Sequence, residues 1–230
     1  MNGLPKLGDC WHMNSVAEIL ALKPMLVIGS VPYKQETVAK LLEHPVNFLA
    51  MNPRTLSDIY ADIRLLGGIS ARQKAAERVV QRMQREFAAI ARRAVTGKNR
   101  LHVYCEAWPN PRISSPPWVA ELVRIAGGEM VLPAGEKVTE KAVANAQPEV
   151  IVLAWAATGA RAKPEQTYAV EAWRDVPAIR NRQVYVVRDE LLNTPGPPLI
   201  QGARELRRLF VAAKQSDFSP QRSATAGKNR

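Results

Sequence analysis

The chain has 230 residues, 47% of them hydrophobic and 23% charged. That is globular usage; it excludes disorder, collagen or coiled coil as the whole and leaves room for one or two domains with a sizeable core. Lys and Arg number 32 against 21 Asp and Glu, a formal +11, which taken alone points to a nucleic-acid or acidic-surface partner.

The charge is local. Residues 1–69 balance six basic against six acidic side chains, and residues 101–199 balance ten against eleven. The excess sits in residues 70–100, nine against two, and in residues 200–230, seven against two. No run of 18 apolar residues occurs, which excludes a membrane-spanning helix. The stretch from Met1 to Gly8 lacks the pattern of a signal peptide, so a literal start at Met1 implies a cytoplasmic product. Cys10 and Cys105 form no CxxC and read as two separate thiols.

Asn14 or Ser15 caps a predicted short helix through Leu22, stopped by Lys23–Pro24. Met25–Gly29 reads as a buried strand, residues 35–43 as a helix, Val46–Ala50 as a second strand and Thr55–Leu66 as a helix ended by Gly67–Gly68. Short strands without a polar face, alternating with helices, predict a parallel sheet covered by helices.

Ser70 to Thr96 contains neither Pro nor Gly, and its apolar residues from Ala76 to Ala94 recur at helical spacing. A helix of that length makes a rod of about 40 Å. Arg72, Arg78, Arg82, Arg85 and Arg92 lie on its other side, as a solvated face or as a ligand surface.

Beyond Gly97 the alternation resumes. Strands are expected at Leu101–Cys105, Met130–Leu132, Glu149–Leu153 and Gln183–Val187. Helices are expected at Pro117–Ala126, Thr139–Ala146, residues 165–173 and Pro197 to about Ala213, before a polar, disordered tail over 215–230. The segments Ala17–Ile28 and Lys141–Val152 echo one another as helix, Pro, buried strand. They flank the long helix. The predicted fold is therefore α/β, with two three-layer lobes joined by a rigid backbone helix and a ligand cleft between them. The boundaries are an N-terminal lobe over 1–69, a connector over 70–97 and a C-terminal lobe over 98–214.

Catalytic signals are sparse. His12, His44 and His102 form no spaced ligand set, and there is no GxSxG, Walker lysine loop or GxGxxG. We expect no enzyme, no metal site and no catalytic cofactor. Five tryptophans say more. Trp11, Trp108 and Trp155 fall in predicted loops or at strand ends, where an indole offers a wide stacking face or a core plug; Trp118 and Trp173 read as core. Loops beyond strand C-termini bind ligands in parallel α/β folds. The stretches Glu106–Pro117 and Asp189–Pro198 read as long Pro-stiffened connections of that kind.

The chain resembles the cobalamin-binding and iron-siderophore-binding family of substrate-binding proteins that serve ABC importers. The resemblance runs from about Trp11 to Phe210. It is carried by Ile19–Pro24 with the following strand, Val119–Leu122 leading to Ala126–Gly128, Gln147–Val152, Arg182–Tyr185 and Asn193–Pro197. It implies a monomeric binding protein outside the cytoplasmic membrane that carries cobalamin or a related corrinoid and docks on a permease dimer.

Carried over by position, Trp11 packs against the corrin, Trp108 forms another aromatic wall and Asp189 supplies an acidic pocket group; Trp155, Arg112 and Asn193 complete the expected ligand set. Arg112 and Arg161 also suit a ferric siderophore, and a haem-type ligand belongs to the same alternative. The docking glutamates of the family fall at Ala17 and Lys141, one residue from Glu18 and Glu140, which we take as the docking pair. The family begins with a further strand and helix that this sequence does not show, so either its start is placed too late or it is a decayed or repurposed member. Two other readings remain: a homologue that keeps the fold without transport, and a basic nucleic-acid-binding protein engaging through the connector and tail.

Overall fold

A computed structural model describes residues 5, 7, 16–94, 100–159 and 161–217. The chain divides into two units, Met1–Pro53 and Arg54–Arg230, each of which alternates strands with helices as expected for an α/β fold. Among the described residues no helix is long and apolar enough to cross a membrane.

The first unit runs α1 (Ala17–Ala21), β1 (Val27–Ser30), α2 (Gln35–Leu42) and β2 (Phe48–Met51). Val16 precedes α1 as its cap; Asn14 and Ser15 lie outside the described residues. Strands β1 and β2 pair in parallel, from Val27↔Phe48 to Ser30↔Met51. Asn47 braces them, its Nδ2 donating to Met25 O at 2.9 Å. A Cβ on Gly29 would sit 2.8 Å from the Phe48 ring, so only a glycine lets that ring lie across β1. Burial is thin: Val16, Leu41 and Pro53 are the buried apolar side chains among the described residues of this unit, while Met25 is 90% exposed.

The second unit opens with α3 (Leu56–Ile69) and α4 (Gln73–Ala91). Thr55 and Asp58 close a capping box at the start of α3, and the amides of Arg54 and Thr55 hold the Asp58 carboxyl below its ordinary range. The uninterrupted helix expected from Ser70 is shorter. Ala71 takes a left-handed φ of 52° and Arg72 N donates back to Gly67 O at 2.7 Å, so a turn precedes α4. No Pro or Gly marks it. The 19 residues of α4 span about 28 Å, and they pack against α3 and against two helices later in this unit, Pro117–Ala126 and Leu199–Asp217.

The remaining elements are β3 (Leu101–Pro109), β4 (Arg112–Ser114), α5 (Pro117–Ala126), β5 (Gly128–Met130), α6 (Glu140–Ala146), β6 (Val150–Leu153), α7 (Pro164–Tyr168), α8 (Pro177–Arg180), β7 (Val184–Val186) and α9 (Leu199–Asp217). The sheet runs β4–β3–β6–β7, with β5 also on β3. Strands β5, β6 and β7 continue it in parallel, and β4 pairs antiparallel with the far half of β3. The Pro-stiffened connection expected after Cys105 is thus largely strand. Strand β3 runs on to Pro109 and returns through Asn110–Pro111 as β4; its Pro residues hid the edge hairpin, which tolerates them.

Strand alternation splits the apolar residues into two layers. Val103, Cys105, Val150, Val152 and Ala154 face a core with α4, α5 and α9. Tyr104, Ile151 and Leu153 face a second core with Trp155, Trp173 and Val176. Desolvation in the first core pushes the Cys105 thiol up to about 12. The short α8, which no local sequence pattern announces, opens on Pro177.

Candidate functional site

The C-terminal ends of β3, β6 and β7, with the β4 return and the segments after β6 and β7, carry most of the expected ligand residues of the second unit. At their base lies Glu106, fully buried. Its Oε1 accepts from Trp155 Nε1 at 2.9 Å. Its Oε2 accepts from Tyr104 OH at 2.9 Å and Arg112 Nη1 at 3.0 Å. Every polar group that meets this carboxylate is a donor, which is what a buried charge requires. Burial, helped by Glu106, raises the Tyr104 phenol above its ordinary value.

Arg112 is pinned from three sides. Its Nη2 reaches Glu140 Oε1 at 3.2 Å, at the first position of α6, and its guanidinium stacks 4.3 Å from the Trp173 ring centroid. One cation between two carboxylates on an indole face has little capacity left for an anionic ligand. Glu140 keeps an exposed side, and Glu18 is exposed on α1.

The tryptophans divide. Trp155 is buried at 5% exposure and spends its one donor on Glu106, so it props the site from beneath. Trp108 is 41% exposed; its Nε1 donates to Asn110 O at 2.9 Å, which orients the ring and leaves its face open on the β3–β4 hairpin. A register shift between Glu106 and Trp108 re-aims the side chain at the end of β3. Trp118 and Trp173 are core residues, each donating to a backbone carbonyl. Trp11 lies outside the described residues.

Asp189 and Asn193 bind the loops to each other. Asp189 accepts from Ala157 N at 2.9 Å and Gly159 N at 3.1 Å, gripping the turn after β6 where both residues have positive φ. Asn193 Nδ2 donates to Ala154 O at 2.6 Å. Its Oδ1 is buried without a partner among the described residues. Arg161 Nε donates to Thr158 O at 3.1 Å on the same turn. Gly202 of α9 holds this assembly close: a Cβ there would stand 2.0 Å from Leu191 O.

Sequence reasoning missed Glu106, Trp173 as a stacking partner and Gly202. For Glu106 the available signal was an acid directly after the run Val103–Tyr104–Cys105; for Gly202 it was a glycine inside a helical pattern. No group of three His, Cys, Asp or Glu side chains among the described residues is placed to hold a metal ion.

The chain is 24% identical over 214 residues to the uncharacterised ABC transporter substrate-binding lipoprotein YvrC of Bacillus subtilis (strain 168). That match covers 87% of this chain and 66% of the relative, so the chain spans slightly under two thirds of that protein. It is also 24% identical over 222 residues to the vitamin B12-binding protein of Pectobacterium carotovorum subsp. carotovorum (strain PC1), covering 91% of this chain and 75% of that one. The fold superposes on the periplasmic heme-binding protein RhuT of Roseiflexus sp. RS-1 in apo form, with a TM-score of 0.72 at 23% identity over 86% of this chain and 80% of that one. The periplasmic binding protein family matches residues 6–191. With that match over most of the chain, and the α/β units that agree with it, the protein belongs to the periplasmic binding protein family, whose members are binding proteins and not enzymes.

Proposed function

We propose that this protein is the substrate-binding component of an ABC importer, acting outside the cytoplasmic membrane, and that its ligand is cobalamin or a related corrinoid. The observation that carries the ligand class is Trp108: a half-open indole, oriented by its own N–H bond, on a hairpin locked through Arg112 to buried Glu106. Such a face suits a wide, flat, partly apolar ring system. Pre-locking lowers the ordering cost of binding. Likeness to a vitamin B12-binding protein supports the same reading.

In this reading Trp11 and Trp108 contact the ligand directly, and Asn193 Oδ1 accepts from it. Asp189, Trp155 and Arg112 hold the loops in place. Glu18 and Glu140 meet the permease dimer, and the protein works as a monomer. Titration of the full chain with cyanocobalamin, followed by tryptophan quenching, should show saturable binding. Trp108→Ala should weaken it by about 1–2 kcal/mol, the scale of truncating one aromatic side chain in a binding site. Absence of any cobalamin-dependent signal would overturn the corrinoid assignment.

A haem or ferric-siderophore ligand is the second reading, favoured by the fold likeness to a heme-binding protein and by exposed Arg161 on the turn after β6. Parallel titrations with haemin and a ferric hydroxamate decide between them. Tighter saturable binding of either moves the assignment there.

A further inference from the structure

The outward face of α4 carries an unneutralised cationic ridge. Its inward residues are Ala76, Val80, Met83, Phe87 and Ile90. At 100° per residue, Lys74, Arg78, Arg82, Arg85 and Arg92 centre about 180° from them. All five are exposed. The two acids of α4 do not offset them, because flanking helices draw both aside: Glu77 pairs with Arg64 of α3 at 2.8 Å, and Glu86 with Arg204 of α9 at 2.6 Å. Among the described residues none of the five ridge cations has a carboxylate partner. The row is straight and spans about 27 Å.

Beside one end of it lies an apolar pair. Leu65 and Ile69, 46% and 51% exposed, stand one turn apart on the outer side of α3, next to the turn that leads into Lys74. We propose that this face is a docking surface for an anionic phospholipid membrane, the ridge meeting phosphate head groups and Leu65 and Ile69 entering the interface. Cations flanked by exposed aliphatic side chains are the composition of an interfacial helix surface.

A nucleic acid would meet the ridge by phosphate contact alone. The aromatic residue of α4, Phe87, is buried, so the face has no ring on which a base could stack, and the apolar pair would remain in water. The proposal is independent of which ligand the protein carries, since neither the ridge nor its test involves the loops beyond the sheet.

The test is co-sedimentation of the full chain with phosphatidylcholine vesicles, with and without phosphatidylglycerol, and, in parallel, anisotropy with a labelled DNA duplex at the same salt. Binding is expected only to the anionic vesicles and should fall as salt rises. R78Q/R82Q/R85Q should lower the partition coefficient on the order of a hundredfold, at about fivefold per cation near the surface. A matched loss of charge at R222Q/K228Q/R230Q should lower it far less. Thermal melts of each variant report folding, and the ridge positions are exposed.

Three results overturn the proposal. They are no preference for anionic vesicles, an equal loss in the two triple variants, and tighter binding to the duplex than to the vesicles. The last would assign the ridge to nucleic acid.

Discussion

The two units are built from the same helix, proline and strand grammar, yet they differ sharply in how much they bury. The second unit surrounds its five strands with helices and has two apolar layers in which Val103, Tyr104, Cys105 and the whole of β6 are fully buried. The first has a two-stranded sheet whose residues are all partly or fully exposed. Strand burial is therefore decided by how many layers cover a strand. Among the described residues of the first unit the parallel pair is accompanied by the five-residue α1 and the eight-residue α2, and two strands alone are marginal in water.

The largest expected effect is on the buried ion pair, which has no counterpart among the described residues of the first unit. Arg112→Ala leaves the Glu106 carboxylate buried without its cation and should cost about 3–5 kcal/mol in denaturant unfolding. E106L/R112M should recover part of that loss, because it removes both charges together. A double variant no more stable than Arg112→Ala would show that the pair is not the source of the cost.

Core truncations sharpen the comparison directly. Leu122→Ala, in the fully buried layer, should cost about 2–5 kcal/mol. Leu41→Ala in the first unit should fall at or below the bottom of that range, since its loosely covered surroundings relax into the gap. Amide exchange should show the same ordering, with β1 and β2 losing protection well before β3 and β6. Equal protection would break the comparison.

Gly202→Ala forces Leu191 O away from α9, and overpacking of that kind costs about 1–3 kcal/mol. Because Asp189 and Asn193 flank the displaced carbonyl, ligand affinity should fall along with the melting temperature. Thr55→Ala removes the α3 cap for about 1 kcal/mol and should leave ligand binding unchanged.

Near neutral pH the smallest effect is that of Cys105, which shows only in alkali. Burial raises the Cys105 thiol from 9.0 to about 12. Above pH 9 the unfolded chain releases a proton that the folded chain keeps, so this residue's contribution to stability is present below pH 9 and declines between pH 9 and 12. Mass mapping after iodoacetamide should find Cys105 unmodified at pH 8 in the native protein and alkylated once it is unfolded.

By itself the sequence determined the α/β class, the helices from Pro117 and near Thr139, the core role of Trp118 and Trp173, and the approximate place of six of the seven strands among the described residues. These follow from local apolar runs, proline stops and glycine terminators, whose effects act within a few residues. It also placed Asp189 and Asn193 beyond the end of β7, whereas Trp108, expected in a loop, lies within β3. What the tertiary structure decided is which of those side chains face outward. Trp155 and Trp108 look alike in sequence, each directly after a strand, but Glu106 takes up the donor of one while a register shift turns the other into solvent. Arg112 looked like a free cation until β4 folded it back onto Glu106, Glu140 and Trp173. The turn at Ala71 carried no glycine or proline, so only packing of α3 on α4, with Gly67 against Ala76, revealed it. Burial and ion pairing join residues distant along the chain, and no local pattern encodes them.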